Sequence, residues 1–130
     1  MSKRVTGIGG IFFKAKDPAK LGDWYSKHLG IELQGSEPMS IFSWRDPDDP
    51  EQSGMTVWNV FGQDSTYFGS DAAQFMINYR VADLGALMAD LKKAGVEVIR
   101  EIEDSDFGRF AAVKDPEGHA IELWQPPAEE

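Results

Sequence analysis

The sequence nearly repeats itself at an offset of about 66 positions. Asp17 opens a stretch with helical periodicity that ends at Gly30, and Asp83 opens a second such stretch that ends at Gly95. A repeat of this length is too long for a solenoid unit and too short for an independent domain. It therefore predicts one domain made of two copies of a module, whose half-sheets face each other across a cleft.

The repeat continues beyond the two helices. Residues 44–49 and 113–118 each contain an Asp-Pro turn sequence, and each half then closes on a short apolar strand, at residues 55–58 and 121–124. Each half reads as a strand, a helix and three further strands. This βαβββ order predicts an α+β protein in which helices cover one face of a mostly antiparallel sheet.

The individual elements follow from periodicity and caps. Strands are predicted in the first half at residues 5–16, 31–33, 40–44 and 55–60, with a turn at 46–53 between the last two. In the second half they are predicted at 74–81, 96–99, 109–114 and 120–124. Asp17, followed by Pro18, and Asp83 are predicted N-caps. The predicted buried helix stripes are Leu21, Trp24, Tyr25, His28 and Leu29 in the first helix, and Leu84, Leu87, Met88 and Leu91 in the second.

These elements define the predicted domain organisation. A single domain spans residues 1–130, with one module at about 5–61, a connector at 62–73, a second module at about 74–125 and a frayed tail at 126–130. The connector carries an aromatic pair, Tyr67 and Phe68, which forms either a lid or a dimer contact. Gly9 and Gly10 inside the first strand indicate a bulge or the close approach of a backbone or ligand.

Composition excludes several classes of function. Thirteen Lys and Arg against 22 Asp and Glu give a formal charge of −9, which opposes binding to nucleic acid and to anionic membranes. The absence of cysteine removes disulfides, thiolate metal sites and cysteine nucleophiles. The N-terminal apolar stretch is too short for a signal peptide or a membrane span, so a cytoplasmic location is expected.

Residues 115–123 read Asp-Pro-Glu-Gly-His-Ala-Ile-Glu-Leu and close the second module. With the opening strand before Asp17 and the run from Trp24-Tyr25 to Leu29-Gly30, this segment resembles the vicinal oxygen chelate superfamily of glyoxalase I, bleomycin-resistance proteins and extradiol dioxygenases. The resemblance covers almost the whole chain. It implies two βαβββ modules whose curled mixed sheet forms a cup with helices on its outer face, commonly completed in a homodimer.

In metal-dependent members, the resemblance implies four side-chain ligands, from the first and fourth strands of each half. These positions fall on Gly10, on Thr56 (or Trp58 in a shifted register), on Met76 and on Glu122. Glycine has no side chain, a hydroxyl is a poor ligand, an indole is none, and a thioether is unsuited to the metals concerned. Because only Glu122 remains, we expect neither a metal site nor another cofactor.

Strand alternation predicts which side chains share the face of these positions. The apolar or aromatic side chains on this face are those of Phe12, Trp58, Met76 and Trp124. The polar ones are those of Lys14, Asn78, Arg80 and Glu122, and Arg109 is placed at the rim. This mixture is typical of a small-molecule pocket. Each assignment has an alternative: the two tryptophans are equally typical of a sheet core, Arg80 and Glu122 of a buried ion pair, and Lys14 of a solvated strand end.

The leading hypothesis is a metal-free protein that binds a small aromatic or amphipathic molecule in this cup, as bleomycin-resistance proteins do. The acidic chain favours a cationic ligand, through Glu122 and a cation–π contact with Trp58 or Trp124. The alternative is a glyoxalase-related lyase or isomerase that uses Glu122 as a general base or recruits an atypical metal. A third is a structural or regulatory dimer whose cup is filled by its own side chains.

Overall fold

The computed structural model describes residues 4–127. Its elements are β1 (Val5–Ala15), α1 (Pro18–Leu29), β2 (Met39–Asp46), β3 (Asp49–Gly62), β4 (Phe75–Val81), α2 (Leu84–Lys93), β5 (Val98–Ser105), β6 (Gly108–Lys114) and β7 (Ala120–Gln125). The strands hydrogen-bond in the order β2-β3-β1-β4-β7-β6-β5, as one mixed sheet. The predicted α+β class is confirmed. Within the described residues, no helix is long and apolar enough to cross a bilayer.

Two predicted elements of the first half were wrong. Residues 31–33 are not a strand, and this stretch leads only into an isolated bridge between Gln34 and Glu37. The hydrogen bonds there close a tight turn, with the Glu37 N–H donating to the Gln34 carbonyl at 3.0 Å. The predicted turn at 46–53 is shorter, because β3 already begins at Asp49. The first half therefore has one strand fewer than the second.

The chain divides into two compact units, and β1 contributes to both. The α2 unit consists of the residues up to Gly9 and those from Met76 onward, and contains β4, α2, β5, β6 and β7. The α1 unit runs from Gly10 to Phe75 and contains the rest of β1, α1, β2 and β3. Each unit has one parallel strand pair, β4 with β7 and β1 with β3, and its other pairs described by register are antiparallel.

Helix α2 buries the predicted stripe. Leu84, Leu87 and Met88 are at most 9% exposed and pack in one apolar cluster with the sheet residues Val81, Ala111, Val113 and Leu123. Asp83 is the N-cap, and its side chain accepts a hydrogen bond from the Ala86 N–H at 3.0 Å. The Gln125 side chain accepts from the Leu84 N–H at 2.8 Å, which satisfies a second donor of the helix start.

Helix α1 has the predicted caps but not the predicted buried stripe. Asp17 accepts from the Lys20 N–H at 3.1 Å, and Gly30 ends the helix with a φ of 73°. Its one fully buried residue is Gly22, where a Cβ would lie only 3.1 Å from Pro38. The helix approaches Pro38 closely through this glycine. The predicted apolar stripe is therefore rotated outward, and its residues Trp24, His28 and Leu29 are exposed.

Candidate functional site

Two buried polar side chains lie side by side on the parallel strands β4 and β7. Asn78 and Glu122 are register partners, each is 2% exposed, and the Asn78 Nδ2 donates to the Glu122 Oε1 at 2.6 Å. The next pair on the same face is Arg80 and Trp124. The guanidinium carbon of Arg80 lies 5.2 Å from the centre of the Trp124 ring. We call Asn78, Arg80, Glu122 and Trp124 the Glu122 cluster. All four are residues predicted from the sequence.

Gly9 of β1 makes room for the Glu122 cluster. A Cβ at this position would lie 2.2 Å from the Asn78 Oδ1, 2.8 Å from the Trp124 Cε3 and 3.1 Å from the Arg80 Cγ. A side chain at this position would force the surrounding side chains or the backbone to shift. The close approach at Gly9 is thus made to side chains and not to a backbone or ligand as predicted, whereas a Cβ at Gly10 would meet the Phe12 ring at 2.7 Å.

Glu122 is electrostatically unusual because it is buried. Burial raises the pKa of its carboxyl group to about 8, since the charged form loses its hydration. At neutral pH the Glu122 carboxyl group therefore carries its proton.

Trp124 supplies the aromatic part of the cluster. Its ring stacks on Phe110 of β6, with centroids 5.8 Å apart and planes at 7°, and its Nε1 donates to the Phe107 carbonyl at 2.8 Å. Phe110 is the register partner of Trp124 across the antiparallel β6–β7 pair. Phe110 could not be predicted from the sequence, because the partner of a strand residue depends on a register that only the paired strands define.

Two other predicted residues of the α2 unit take different positions. Met76 is buried at 2% exposure in β4, two residues before Asn78. Arg109 forms an exposed ion pair with Asp104 at 3.0 Å. Arg109 is two residues before Ala111, a core residue that packs beneath α2. Residues two apart in a strand share a face, so Arg109 lies on the helix face of the sheet. The structure does not bring Arg109 to the Glu122 cluster.

Phe12 and Lys14 are buried in the α1 unit, at 8% and 7% exposure. The Phe12 ring lies 5.4 Å from that of Phe61. The Lys14 Nζ donates to the Asp71 carbonyl at 3.3 Å and lies 5.3 Å from the Phe68 ring centre. Lys14 is therefore not the solvated strand end that was the alternative prediction.

Trp58 lies on the opposite face of the α1 unit from Phe12. Its register partner is Ile11, and its ring contacts Phe13 at 5.6 Å and Tyr25 of α1 at 5.1 Å. This is the sheet-core position that the sequence left open for Trp58. Trp58 lies on this face because the parallel register of β1 and β3 aligns it with the odd-numbered residues of β1, whereas Phe12 is even-numbered.

The aromatic pair of the connector packs within the α1 unit. Phe68 is fully buried and meets Phe61 edge-on at 5.1 Å, and Tyr67 stacks on the same ring at 5.6 Å. The connector is thus anchored by side chains of its own unit.

The donors at the four family ligand positions do not fit a divalent ion. Gly10 has no side chain, Met76 offers a thioether, and the Thr56 hydroxyl already accepts a hydrogen bond from the Trp44 Nε1 at 2.9 Å. Glu122, the remaining position, offers a single carboxyl group, and its Oε1 already accepts a hydrogen bond from Asn78 at 2.6 Å. Among residues 4–127, no three His, Cys, Asp or Glu side chains lie together in a way that could hold a metal.

Solved structures with the same fold include methylmalonyl-CoA epimerases. The enzyme from Mycobacterium tuberculosis is 20% identical, with coverage of 98% of this chain and 92% of that chain and a TM-score of 0.59. A variant of the Streptomyces coelicolor enzyme, in complex with 2-nitronate-propionyl-CoA, is 20% identical, with 95% and 99% coverage and a TM-score of 0.66. A superfamily member from Vibrio splendidus 12B01 is 12% identical, with 91% and 97% coverage and a TM-score of 0.60.

The family model of the glyoxalase superfamily matches residues 7–123, which is nearly the whole described chain. This match confirms the resemblance that the module repeat and the 115–123 segment indicated. The chain belongs to the Glyoxalase/Bleomycin resistance protein/Dioxygenase superfamily.

Proposed function

We propose that this protein binds a small aromatic or amphipathic molecule at the Glu122 cluster. The observation that carries the proposal is the burial of Asn78 and Glu122, hydrogen-bonded to each other beside Trp124. Burying an amide and a carboxyl group costs free energy that apolar side chains at the same places would not. A few convergent polar groups beside aromatic rings are typical of small-molecule sites.

The competing explanation is a polar pair that only fixes the register of β4 and β7. The two explanations differ in what Asn78→Leu does. If the cluster binds a ligand, the variant loses binding, whereas a pair that only fixes register alters stability and nothing else.

Tryptophan fluorescence during titration with a panel of small aromatic compounds tests the proposal. We expect a saturable change in the native protein and its loss in Asn78→Leu. Trp24→Phe is the control, because Trp24 is 50% exposed on α1 and belongs to the other unit. Trp24→Phe should keep the response. The absence of any response across a broad panel, or an unchanged response in Asn78→Leu, would contradict binding at this cluster.

The second candidate function is proton transfer by Glu122, in a lyase or isomerase. The pKa of about 8 favours it, because an acid or base whose pKa is near the working pH transfers protons efficiently. The solved structures with this fold include methylmalonyl-CoA epimerases, and epimerisation requires removal and return of a proton. In its ionised form Glu122 would accept a proton from a carbon next to a carbonyl group, and the carboxylic acid so formed would return a proton to that carbon, so that the carboxylate is regenerated.

Exchange of a carbon-bound proton for deuterium tests this candidate without knowledge of the product. Candidate carbonyl acids are incubated with the protein in D₂O, and their proton NMR signals are followed. We expect exchange with the native protein and none with Glu122→Gln, which keeps the side-chain shape but cannot ionise. Equal exchange by both proteins would remove Glu122 from the reaction.

Metal independence is a further part of the proposal. The mismatch of the four family ligand positions supports a metal-independent site.

We also propose a single domain, with modules at 5–61 and 74–125 and a connector at 62–73. We further propose a homodimer, as in superfamily relatives, and a cytoplasmic location, which is consistent with the absence of cysteine. Light scattering checks the dimer, because a monomer mass would contradict it. Of the predicted tail, residues 128–130 lie outside the described residues.

A further inference from the structure

We infer that helix α1 of one copy of this chain covers the β2–β3 hairpin of a second copy, and that this contact, made twice, builds the homodimer. The inference rests on the homodimer proposed above and names its interface. Both surfaces belong to the α1 unit. Each combines an exposed aromatic side chain with charges of one predominant sign, and the two signs are opposite.

The hairpin of β2 and β3 extends beyond the strand that supports it. The register of β1 with β3 begins at Val57, so residues 42–56 form a two-stranded segment, which we call the ribbon. A two-stranded hairpin is marginally stable unless a third strand or a helix packs against it. Phe42 shares a face with Trp58, which contacts α1, yet Phe42 is 48% exposed. The helix of the same copy therefore leaves this part of the face uncovered.

The tip of the ribbon is acidic. Residues 45–51 contain four carboxylates against one arginine. Two of them, Asp49 and Glu51, are exposed and form no ion pair with another of the described residues. A partner that covers Phe42 beside this tip should therefore offer an apolar group flanked by cations.

The outward face of α1 has this pattern. Lys20, Trp24 and Lys27 are four and three residues apart and therefore line one face of the helix. Trp24 is 50% exposed, and the two lysines are exposed and form no ion pair with another residue of the described range. Asp23 lies at the margin of this face, where the two lysines outnumber it. The face thus presents an indole between two cations.

A second copy of the chain is the partner that these two surfaces favour. Because both lie in one compact unit, a two-fold axis would form the same contact twice, with each helix on the other copy's ribbon. The contact would bury Trp24 against Phe42 and bring the lysines to the carboxylates of the tip. The charge of −9 on each copy opposes association, but salt screens it over about 8 Å, whereas the facing charges would be in contact.

Charge reversal of each surface tests this interface. The helix variant, Lys20→Glu with Lys27→Glu, and the ribbon variant, Asp49→Lys with Glu51→Lys, each place like charges at both contacts of a homodimer. We expect the dimer dissociation constant, measured by sedimentation velocity over a concentration series, to rise at least about tenfold in each variant. An equimolar mixture of the two variants should restore it to near the native value, because every helix then meets a ribbon of opposite charge.

The matched control is Lys92→Glu with Lys93→Glu. It makes the same change in net charge as the helix variant, at exposed lysines in the last turn of α2 in the other unit. We expect it to keep the native dissociation constant. Trp24→Ala, which removes the apolar group without a change in charge, should weaken the dimer. Thermal unfolding shows that each variant folds.

The outcomes separate this interface from the homodimer itself. Native dissociation constants in both charge-reversal variants, or a mixture of them that stays monomeric, would overturn the interface and leave the homodimer intact. Equal weakening by the α2 control would also overturn it, since net charge would then be the cause. Growth into larger assemblies with concentration would contradict the two-fold arrangement. A monomeric native protein would contradict both the homodimer and this interface, and would point to a different protein as the partner of the ribbon.

Discussion

Glu122 is the residue whose surroundings most change its chemistry. Its carboxyl group has an ordinary pKa of 4.5, and burial beside β4 raises the pKa to about 8. The folded protein therefore holds a proton that the unfolded chain releases between these two pH values. Below pH 4.5 both states are protonated, and above pH 8 neither is.

This difference predicts that the free energy of unfolding falls as the pH rises from about 5 to 8. A single carboxyl group contributes a slope of at most about 1.4 kcal/mol per pH unit over this window. Glu122→Gln lacks the proton but keeps an oxygen that can accept from Asn78, so its stability should depend less on pH. Urea denaturation of both proteins at several pH values measures the difference. Parallel pH profiles would mean that Glu122 has an ordinary pKa.

Gly9 is the residue that permits the Glu122 cluster to form. Gly9→Ala would place a Cβ 2.2 Å from the Asn78 Oδ1, so side chains or backbone must shift. We expect a destabilisation of about 1 to 3 kcal/mol, which is typical of overpacking. Gly62→Ala is the control, since no atom lies within 4 Å of its added methyl group, and its stability should change by less than about 0.5 kcal/mol. Equal effects would show that Gly9 has no special role.

The two helices show how one sequence pattern gives two different packing arrangements. Both begin at an aspartate that caps the helix, and both carry an apolar stripe. Helix α2 buries its stripe in the apolar cluster, whereas α1 approaches its unit through Gly22 and leaves much of its stripe exposed. The caps are local and repeat faithfully, but the buried face of a helix depends on what it packs against.

Leucine-to-alanine substitutions should reveal this asymmetry. Leu84 is fully buried in α2, and Leu84→Ala should cost about 2 to 5 kcal/mol of stability. Leu29 is 62% exposed at the end of α1, and Leu29→Ala should cost less than about 0.5 kcal/mol. Chemical denaturation gives both values. Similar losses would indicate that α1 is buried in the way its periodicity predicts.

At the scale of the whole molecule, the protein keeps the family fold while its ligand positions lack a family metal set. The match over residues 7–123 and the α+β sheet agree with superfamily membership. Within that fold, a thioether, a hydroxyl and a glycine stand at positions where metal-dependent relatives are expected to carry ligands. Its chemistry is therefore expected to depend on the Glu122 cluster.

Treatment with EDTA tests metal independence of the whole protein. We expect the melting temperature and the fluorescence response to aromatic compounds to stay unchanged, because removing an ion lowers stability only if the folded state binds it. Elemental analysis of the untreated protein is the control. A stoichiometric metal, or binding that EDTA abolishes and zinc or nickel restores, would contradict the prediction.

Local chemistry made part of this protein predictable from its residues. Asp17 and Asp83 cap helices through bonds to N–H groups three positions away, and Gly30 ends α1 because it adopts a positive φ. Most strands, the stripe of α2 and the superfamily itself followed from similarly local patterns. The short segment at 31–33 did not, because so brief an apolar run has no periodicity to identify it.

The sequence by itself determined the two helices with their caps, most of the strands and the four residues of the Glu122 cluster. Only the tertiary structure decided which neighbours those residues have. Asn78 and Glu122 are 44 positions apart, and their hydrogen bond exists because β4 and β7 pair in one register. The same register buries Glu122 and raises its pKa, and it places Arg80 over Trp124. Desolvation and charge at a site are properties of packed neighbours, which strand pairing brings together from distant parts of the chain.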